Sequence, residues 1–196
     1  VPRVAVLISG TGTLLQSLID DPRRTYEIVA VAADRPAQGL ARAQAAGIPT
    51  VVVRPGDHPD RPSWSRALAE KLGAFEPDWV VSAGFMRILD GAFLDRFPQR
   101  VVNSHPALLP AFPGAHAVPE ALAYGVKLTG CTVHLVDAGV DTGPIIAQQP
   151  VPVEPDDTEQ TLHERIKAVE WQLLPEVVQA LATKGCTVNG RKVELW

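Results

Sequence analysis

The chain has 196 residues, 46% of them hydrophobic and 20% charged in mixed sign, with a formal net charge of −4. That length and apolar content can bury the core of one domain. The acidic balance argues against a nucleic acid or an anionic membrane as the main partner, because phosphate backbones demand a Lys/Arg surplus. A local patch at Arg54, Arg61 and Arg66 could still hold one small anion. The longest apolar runs are too short to cross a bilayer, and no basic segment with a cleavage site precedes them, so no secretory signal is expected. The chain opens on Val1 rather than Met, so residues before it are expected to be missing or processed. Cys131 and Cys186 lie far apart and outside any C-x-x-C, which predicts reduced thiols and a cytoplasmic setting.

In chain order, Val4–Ile8 reads as a first strand and runs into SGTGTLLQ, a glycine-rich turn that leads to a helix over Thr13–Ile19. Such a turn leaves backbone N–H groups free at a helix N-terminus, where an anion is favoured. Leu15 stands where a dinucleotide fingerprint wants a third small residue. Asp34, closing a second strand Glu27–Ala33, sits where a ribose-binding acid would. The NAD match is therefore partial, and an anion site and a plain βα turn both stay open. A helix at Gly39–Ala46, a strand at Thr50–Val53, a helix at Ser63–Phe75 and a strand at Trp79–Ser82 follow. GFMRIL then places Arg87 inside an apolar stretch, facing either solvent or an anionic ligand. A short helix at about Ala92–Phe97 precedes the strand Val101–Ser104. Strands alternating with helices predict βαβ units and a mostly parallel sheet, and strands apolar on both sides predict helices on both faces.

The stretch VVNSHPALLPAFPG carries the densest chemistry. Residues two apart in a strand share a face, so Asn103 and His105 should converge at the carboxyl end, where open α/β sheets place ligands. Pro106 biases His105 toward an extended backbone, and Pro110 and Pro113 stiffen the following loop into a wall. The crowded setting of Leu109-Pro110 leaves a cis bond open, although a proline context alone makes cis the minority outcome. An imidazole can move protons near neutral pH, and a carboxamide can donate to a developing oxyanion. A capped strand end with a satisfied histidine is the bland alternative.

Lys127–Val136 and Pro144–Val153 read as an antiparallel hairpin added to one sheet edge, joined by DAGVDTG. Asp137 and Asp141 on that loop are candidates for a third member, since a carboxylate near His105 would favour its protonated form; ordinary turn chemistry is the alternative. A long helix from about Thr158 to Ala182 is opened by capping Asp and Thr residues and is expected to bend at Pro175. Glu170 lies on the flank of its apolar stripe, either at the solvent edge or facing a polar ligand. The tail Cys186–Leu195 alternates around Asn189-Gly190, a two-residue hairpin signal. The histidines at 58, 105, 116, 134 and 163 form no metal-ligand spacing, and no G-x-S-x-G elbow is present, so no metal is expected.

Taken together, LISGTGTLLQ, SAGFMRIL, NSHPALLPAFPG, HLVDAGVDTGPII and ERIKAVEWQLLP resemble the phosphoribosylglycinamide formyltransferases, folate-dependent enzymes of purine synthesis, in order and over essentially the whole chain. The resemblance implies a single Rossmann-like α/β domain over 1–196: an open sheet, mostly parallel, with an antiparallel hairpin at one edge and helices on both faces. Its N-terminal half would bind phosphate and its C-terminal half folate. It implies Asn103, His105 and Asp141 as the catalytic trio. Gly12, Thr13 and Leu14 would hold the phosphate of glycinamide ribonucleotide, with Lys167, Ala168, Val169 and Glu170 also at that substrate. Arg61, Met86, Arg87, Ile88 and Leu89, Asn103, and Asp137, Ala138, Gly139, Val140 and Asp141 would contact the co-substrate 10-formyltetrahydrofolate.

No metal, nucleic acid or membrane partner is implied, and the assembly would be a monomer or homodimer. Leu14 stands in place of a frequent asparagine, Ala111 in place of a common lysine, and Val118 where some relatives carry histidine. These departures bear on loop dynamics and pH response rather than on the chemistry. Related alternatives are a formyltetrahydrofolate hydrolase or a methionyl-tRNA formyltransferase, each expected to carry a further domain, and a non-catalytic folate- or nucleotide-binding module.

Overall fold

Alternate residues of the first strand supply two different cores, and that sets the layering of the molecule. In the computed structural model, which describes residues 1–196, β1 (Arg3–Ile8) sends Val4, Val6 and Ile8 to one side and Ala5 and Leu7 to the other. All five are fully buried, each contributing about 1 to 3 kcal/mol of transfer free energy according to its size. Neither side of such a strand can face water, so both must be covered.

β1 sits inside a seven-stranded sheet with β2 (Glu27–Ala33), β3 (Thr50–Val52), β4 (Trp79–Ser82), β5 (Val101–His105), β6 (Leu128–Leu135) and β7 (Ile145–Pro152). The order is β3-β2-β1-β4-β5-β6-β7. The first five strands are parallel, β6 pairs antiparallel with β5, and β7 pairs antiparallel with β6. This is the expected open α/β sheet with a hairpin at one edge. The chain direction across the sheet reverses between β1 and β4, so the βα turns after these two strands splay apart and leave a crevice at their carboxyl ends.

Three helices close one face: α1 (Thr13–Asp20), α2 (Leu40–Ala45) and α6 (Glu159–Thr183). They bring Leu15, Leu18, Leu40, Ala43, Leu174, Val177, Val178 and Leu181 onto Val4, Val6, Val31, Val81, Val102 and Val133. The other face is closed by α3 (Arg61–Gly73) and the short α4 (Gly91–Leu94), through Trp64, Leu68, Leu72, Phe93 and the following Phe97. Asp60 caps α3 by accepting from Ser63 N at 2.7 Å. Thr158 and Thr161 cap α6 reciprocally, and α6 runs unbroken through the buried Pro175.

Some features depart from the sequence reading. A helix α5 (Ala117–Tyr124) stands where no element is expected. Pro119 falls in its first turn, where a missing N–H costs nothing, and Gly125 ends it at φ 82. The C-terminal strands β8 (Cys186–Asn189) and β9 (Lys192–Leu195) pair Asn189 with Lys192, so their two-residue loop is Gly190-Arg191, one position later than expected. Gly190 takes φ 60 at the first loop position, where a side chain would be strained. Leu109-Pro110 takes the cis form, the minority outcome for such a bond. No helix is long and apolar enough to cross a membrane.

Candidate active site

The turn from β1 into α1 is built around two glycines in contact. Gly12 adopts φ 75, and a Cβ there would lie 2.8 Å from the Cα of Gly39. Gly39 N in turn donates to Gly10 O at 2.9 Å, and Arg42 Nε donates to Thr11 O at 2.8 Å. The loop is therefore held from outside while α1 starts without a side-chain cap. Its first-turn N–H groups stay free for an anion.

At the end of β5 successive side chains go to opposite faces. Ser104 turns toward α6, where its hydroxyl donates to a Glu170 oxygen in a very short hydrogen bond. Asn103 and His105 turn the other way, as their spacing requires. Across the antiparallel pair, Asn103 stands opposite His134 and His105 opposite Thr132. His134 Nδ1 contacts Leu135 O at 2.9 Å and His134 Nε2 lies 3.4 Å from Asn103 Nδ2. A carbonyl can only accept, so the proton sits on Nδ1 in the neutral ring, and Nε2 then receives one N–H of Asn103. That fixes the carboxamide with its second N–H available to a ligand.

His105 meets two acceptors. Its Nε2 lies 2.7 Å from Phe112 O, on the proline loop, and its Nδ1 lies 3.4 Å from Asp141 Oδ2. Both contacts are satisfied together only by a ring protonated on both nitrogens. Asp141 also accepts from Gly114 N at 2.8 Å, and its Oδ1 lies 3.6 Å from His134 Nε2. Burial pushes the Asp141 carboxyl up, but the His134 contact, the Gly114 N–H and the nearby imidazoles outweigh it and hold it below the usual carboxylate range. Thr132 supports the same loop. Its hydroxyl donates to Ala107 O at 2.7 Å, and it accepts from Leu109 N at 3.1 Å and from Gln148 Nε2 at 3.0 Å.

These groups open onto one cleft of about 620 Å³, within the usual range for a small-molecule site. It brings together the Gly12–Leu14 turn, the Met86–Leu89 segment, Asn103, His105, Asp137, Gly139, Val140, Asp141, Lys167 and Glu170. Met86, Ile88 and Val140 are exposed apolar residues at its mouth.

The cleft leaves out Arg61, Ala138, Ala168 and Val169. Arg61 is the exposed first residue of α3, directly after the capping Asp60. Ala168 is exposed on α6, and Val169 packs beside the small core of Val118, Cys131, Val151, Leu162 and Ile166. Ala138 is exposed on its loop. Arg87 faces neither solvent alone nor an unclaimed anion: its Nε donates to Asp34 Oδ2 at 2.8 Å. Asp34 is 2% exposed and also held by Arg35 at 3.1 Å, so it is a structural counter-ion and not a ribose ligand.

His134, Ser104, His163 and Trp171 line the cleft although the sequence reading assigned them no role. His134 carried one usable signal: it sits three residues before Asp137, on the first strand of the expected edge hairpin.

Glu170 is 7% exposed, and burial pushes its carboxyl up to about 7, with the Ser104 hydroxyl and Lys167 opposing. A carboxyl raised on folding adds stability below its unfolded value, near 4.5, that is lost as pH climbs through 7. Glu170→Gln removes that loss. In urea titrations the variant should match the wild type near pH 4.5 and exceed it at pH 8 by on the order of 3 kcal/mol. A stability difference that does not change with pH would contradict the buried, ionisable state of this side chain.

A cleft at the carboxyl edge of an open sheet, with a protonatable ring between acceptors and a free helix N-terminus across from it, marks an enzyme acting on small molecules. Residues 2–178 match the family model described as formyl transferase. A phosphoribosylglycinamide formyltransferase of Mycobacterium tuberculosis is 59% identical over 191 residues, covering 96% of this chain and 89% of that protein. The human trifunctional purine biosynthetic protein adenosine-3 is 45% identical across 92% of this chain, which spans 18% of that protein. The crystal structure of glycinamide ribonucleotide transformylase 1 from Symbiobacterium toebii superposes with a TM-score of 0.96 at 45% identity, covering 99% of this chain and 93% of that one. The chain belongs to the formyl transferase family, on its phosphoribosylglycinamide formyltransferase branch.

Proposed function

We propose that the cleft transfers the formyl group of 10-formyltetrahydrofolate directly to the amine of glycinamide ribonucleotide, N1-(5-phospho-D-ribosyl)glycinamide, in de novo purine (IMP) biosynthesis. The observation that carries this is the pair of donors, Asn103 and His105, braced by His134 and Asp141 beside an uncapped helix N-terminus. The substrate phosphate sits on the Gly12–Leu14 turn, with Lys167 and Glu170 on the same side. The folate lies against Met86, Ile88, Val140 and the Asp137–Asp141 loop.

The amine nitrogen attacks the formyl carbon, and the carbonyl electrons move onto oxygen. That oxyanion receives the free N–H of Asn103 and the Nε2–H of His105, taking the position that Phe112 O holds on the ring; the proline loop draws back to admit it. His105 then acts as general acid, giving its proton to N10 and regaining one from the attacking nitrogen, while Asp141 orients the ring or a water on that path. Collapse expels tetrahydrofolate, and no covalent formyl-enzyme forms. Much of the rate comes from holding two substrates in register.

The whole chain acts as one domain, with the phosphate turn from its N-terminal half and the Asp137–Asp141 wall from its C-terminal half. It works in the cytoplasm as a monomer or homodimer on small molecules. An absorbance assay for released tetrahydrofolate should show turnover only when glycinamide ribonucleotide is present. Product without the ribonucleotide would mean a hydrolase, and no product at all a binding module; either ends this reading.

A further inference from the structure

The β8–β9 hairpin lies beyond residues 2–178, the segment matched by the family model, yet it reaches the active-site loop. Val188 and Val193 seat it on the main core beside Ile146 and Ala147 of β7. That places its tip at the same end of the sheet as the β6–β7 connection. There Arg191 Nη2 donates to the carbonyls of Thr142 at 3.0 Å and Gly143 at 3.3 Å, the two residues that directly follow Asp141. We propose that Arg191 is a positioning residue for formyl transfer: the C-terminal hairpin clasps the Asp137–Gly143 loop and so keeps Asp141 against His105.

Asp141 needs such a hold. It has φ 54, a left-handed backbone that Asp tolerates better than most side-chain-bearing residues but still at a cost. The loop is braced within itself, since Asp137 Oδ1 accepts from Gly139 N at 3.0 Å and from Thr142 Oγ1 at 2.5 Å. Its root is fixed where Gly143 packs on β6; a Cβ at Gly143 would lie 1.7 Å from Leu135 O. The internal brace sets the shape of the loop and the root sets where it begins. The backbone immediately after Asp141 is secured by Arg191. A guanidinium suits this task because its planar fork offers several N–H groups to neighbouring acceptors.

The proposal rests on the formyl-transfer reading, so its test carries a readout independent of activity. In Arg191→Ala, hydrogen exchange at the amides of Gly139 and Gly114, which donate to Asp137 and Asp141 of the loop, should quicken about tenfold, while β6 amides stay unchanged. The same variant should lower kcat and raise the folate KM, each by about three- to tenfold, with the ribonucleotide KM and the melting temperature unchanged. Arg191→Lys, which keeps the charge and one reachable donor, should recover part of the loss. Lys192→Ala, the adjacent exposed cation on β9, should behave as wild type. Unchanged exchange or unchanged kinetics in Arg191→Ala, or an equal loss in Lys192→Ala, overturns the clasp. A wild-type protein without ribonucleotide-dependent transfer overturns the functional reading, while the exchange result still judges the contact.

Discussion

Replacing His105 by alanine should lower kcat by roughly 10²–10⁴-fold, the span seen for a lost oxyanion donor or general acid. The KM for glycinamide ribonucleotide should stay within about twofold, because uniform binding is untouched when only a transition-state contact is removed. The geometry explains the split. His105 stands on the β5 face shared with His134, whereas the phosphate turn and Glu170 belong to the opposite, α6 side of the sheet. Deleting the imidazole leaves Phe112 O and Asp141 without one partner each, but Asp141 borders the cleft, where water can reach it, and Phe112 is only half-buried. His105→Asn serves as the control, because it restores a donor without a ring that can give up a proton near neutrality. It should fold as the wild type does and remain slow. A turnover close to wild type in either variant removes His105 from the mechanism.

The sheet was readable because burial leaves a mark in composition. Val4–Ile8, Glu27–Ala33 and Trp79–Ser82 are continuous apolar runs, and each is a strand buried on both faces. The Asn103/His105 pair was readable because period two is a strict property of extended chain, and the structure puts both side chains on one cleft. Partnerships across strands were not. His134 meets Asn103 only through the register of β5 with β6, which depends on where the intervening loop and α5 let the chain return. Charge pairing was equally hidden. Arg87 and Asp34 are 53 residues apart, and an arginine in an apolar stretch gives no sign of which carboxylate it will meet. Arg61 was matched to the folate by similarity alone, and in the structure it is the exposed first residue of α3, outside the residues that line the cleft. Glu170 lies between these cases. Its position on the helix stripe was visible, while its burial depends on Ser104 arriving from β5.

Asp141→Asn should be the second severe variant, with kcat reduced by about 10²–10⁴-fold. The substitution is a clean probe of charge. Asn tolerates a positive φ at least as well as Asp, so the loop backbone at φ 54 is not expected to move. An amide oxygen in the Oδ2 position can still accept from Gly114 N and face Nδ1 of His105, which leaves the NH₂ group toward Nε2 of His134. The contacts are kept but the negative charge is gone, so the His105 imidazolium loses its counter-charge.

The pH dependence follows with a definite sign. The Asp141 carboxyl is held below the usual range in the folded protein, so its contribution is complete above the ordinary carboxylate pKa and fades only as pH falls through the lowered one. The wild type should therefore keep this contribution to activity and stability down through pH 4, while the variant lacks it at every pH. Plotted as a ratio, wild-type to variant kcat should stay flat above neutrality and begin to shrink only on the acid side of the ordinary carboxylate range. A ratio that already collapses near pH 6 would assign the ionisation to another group and detach Asp141 from the proton path.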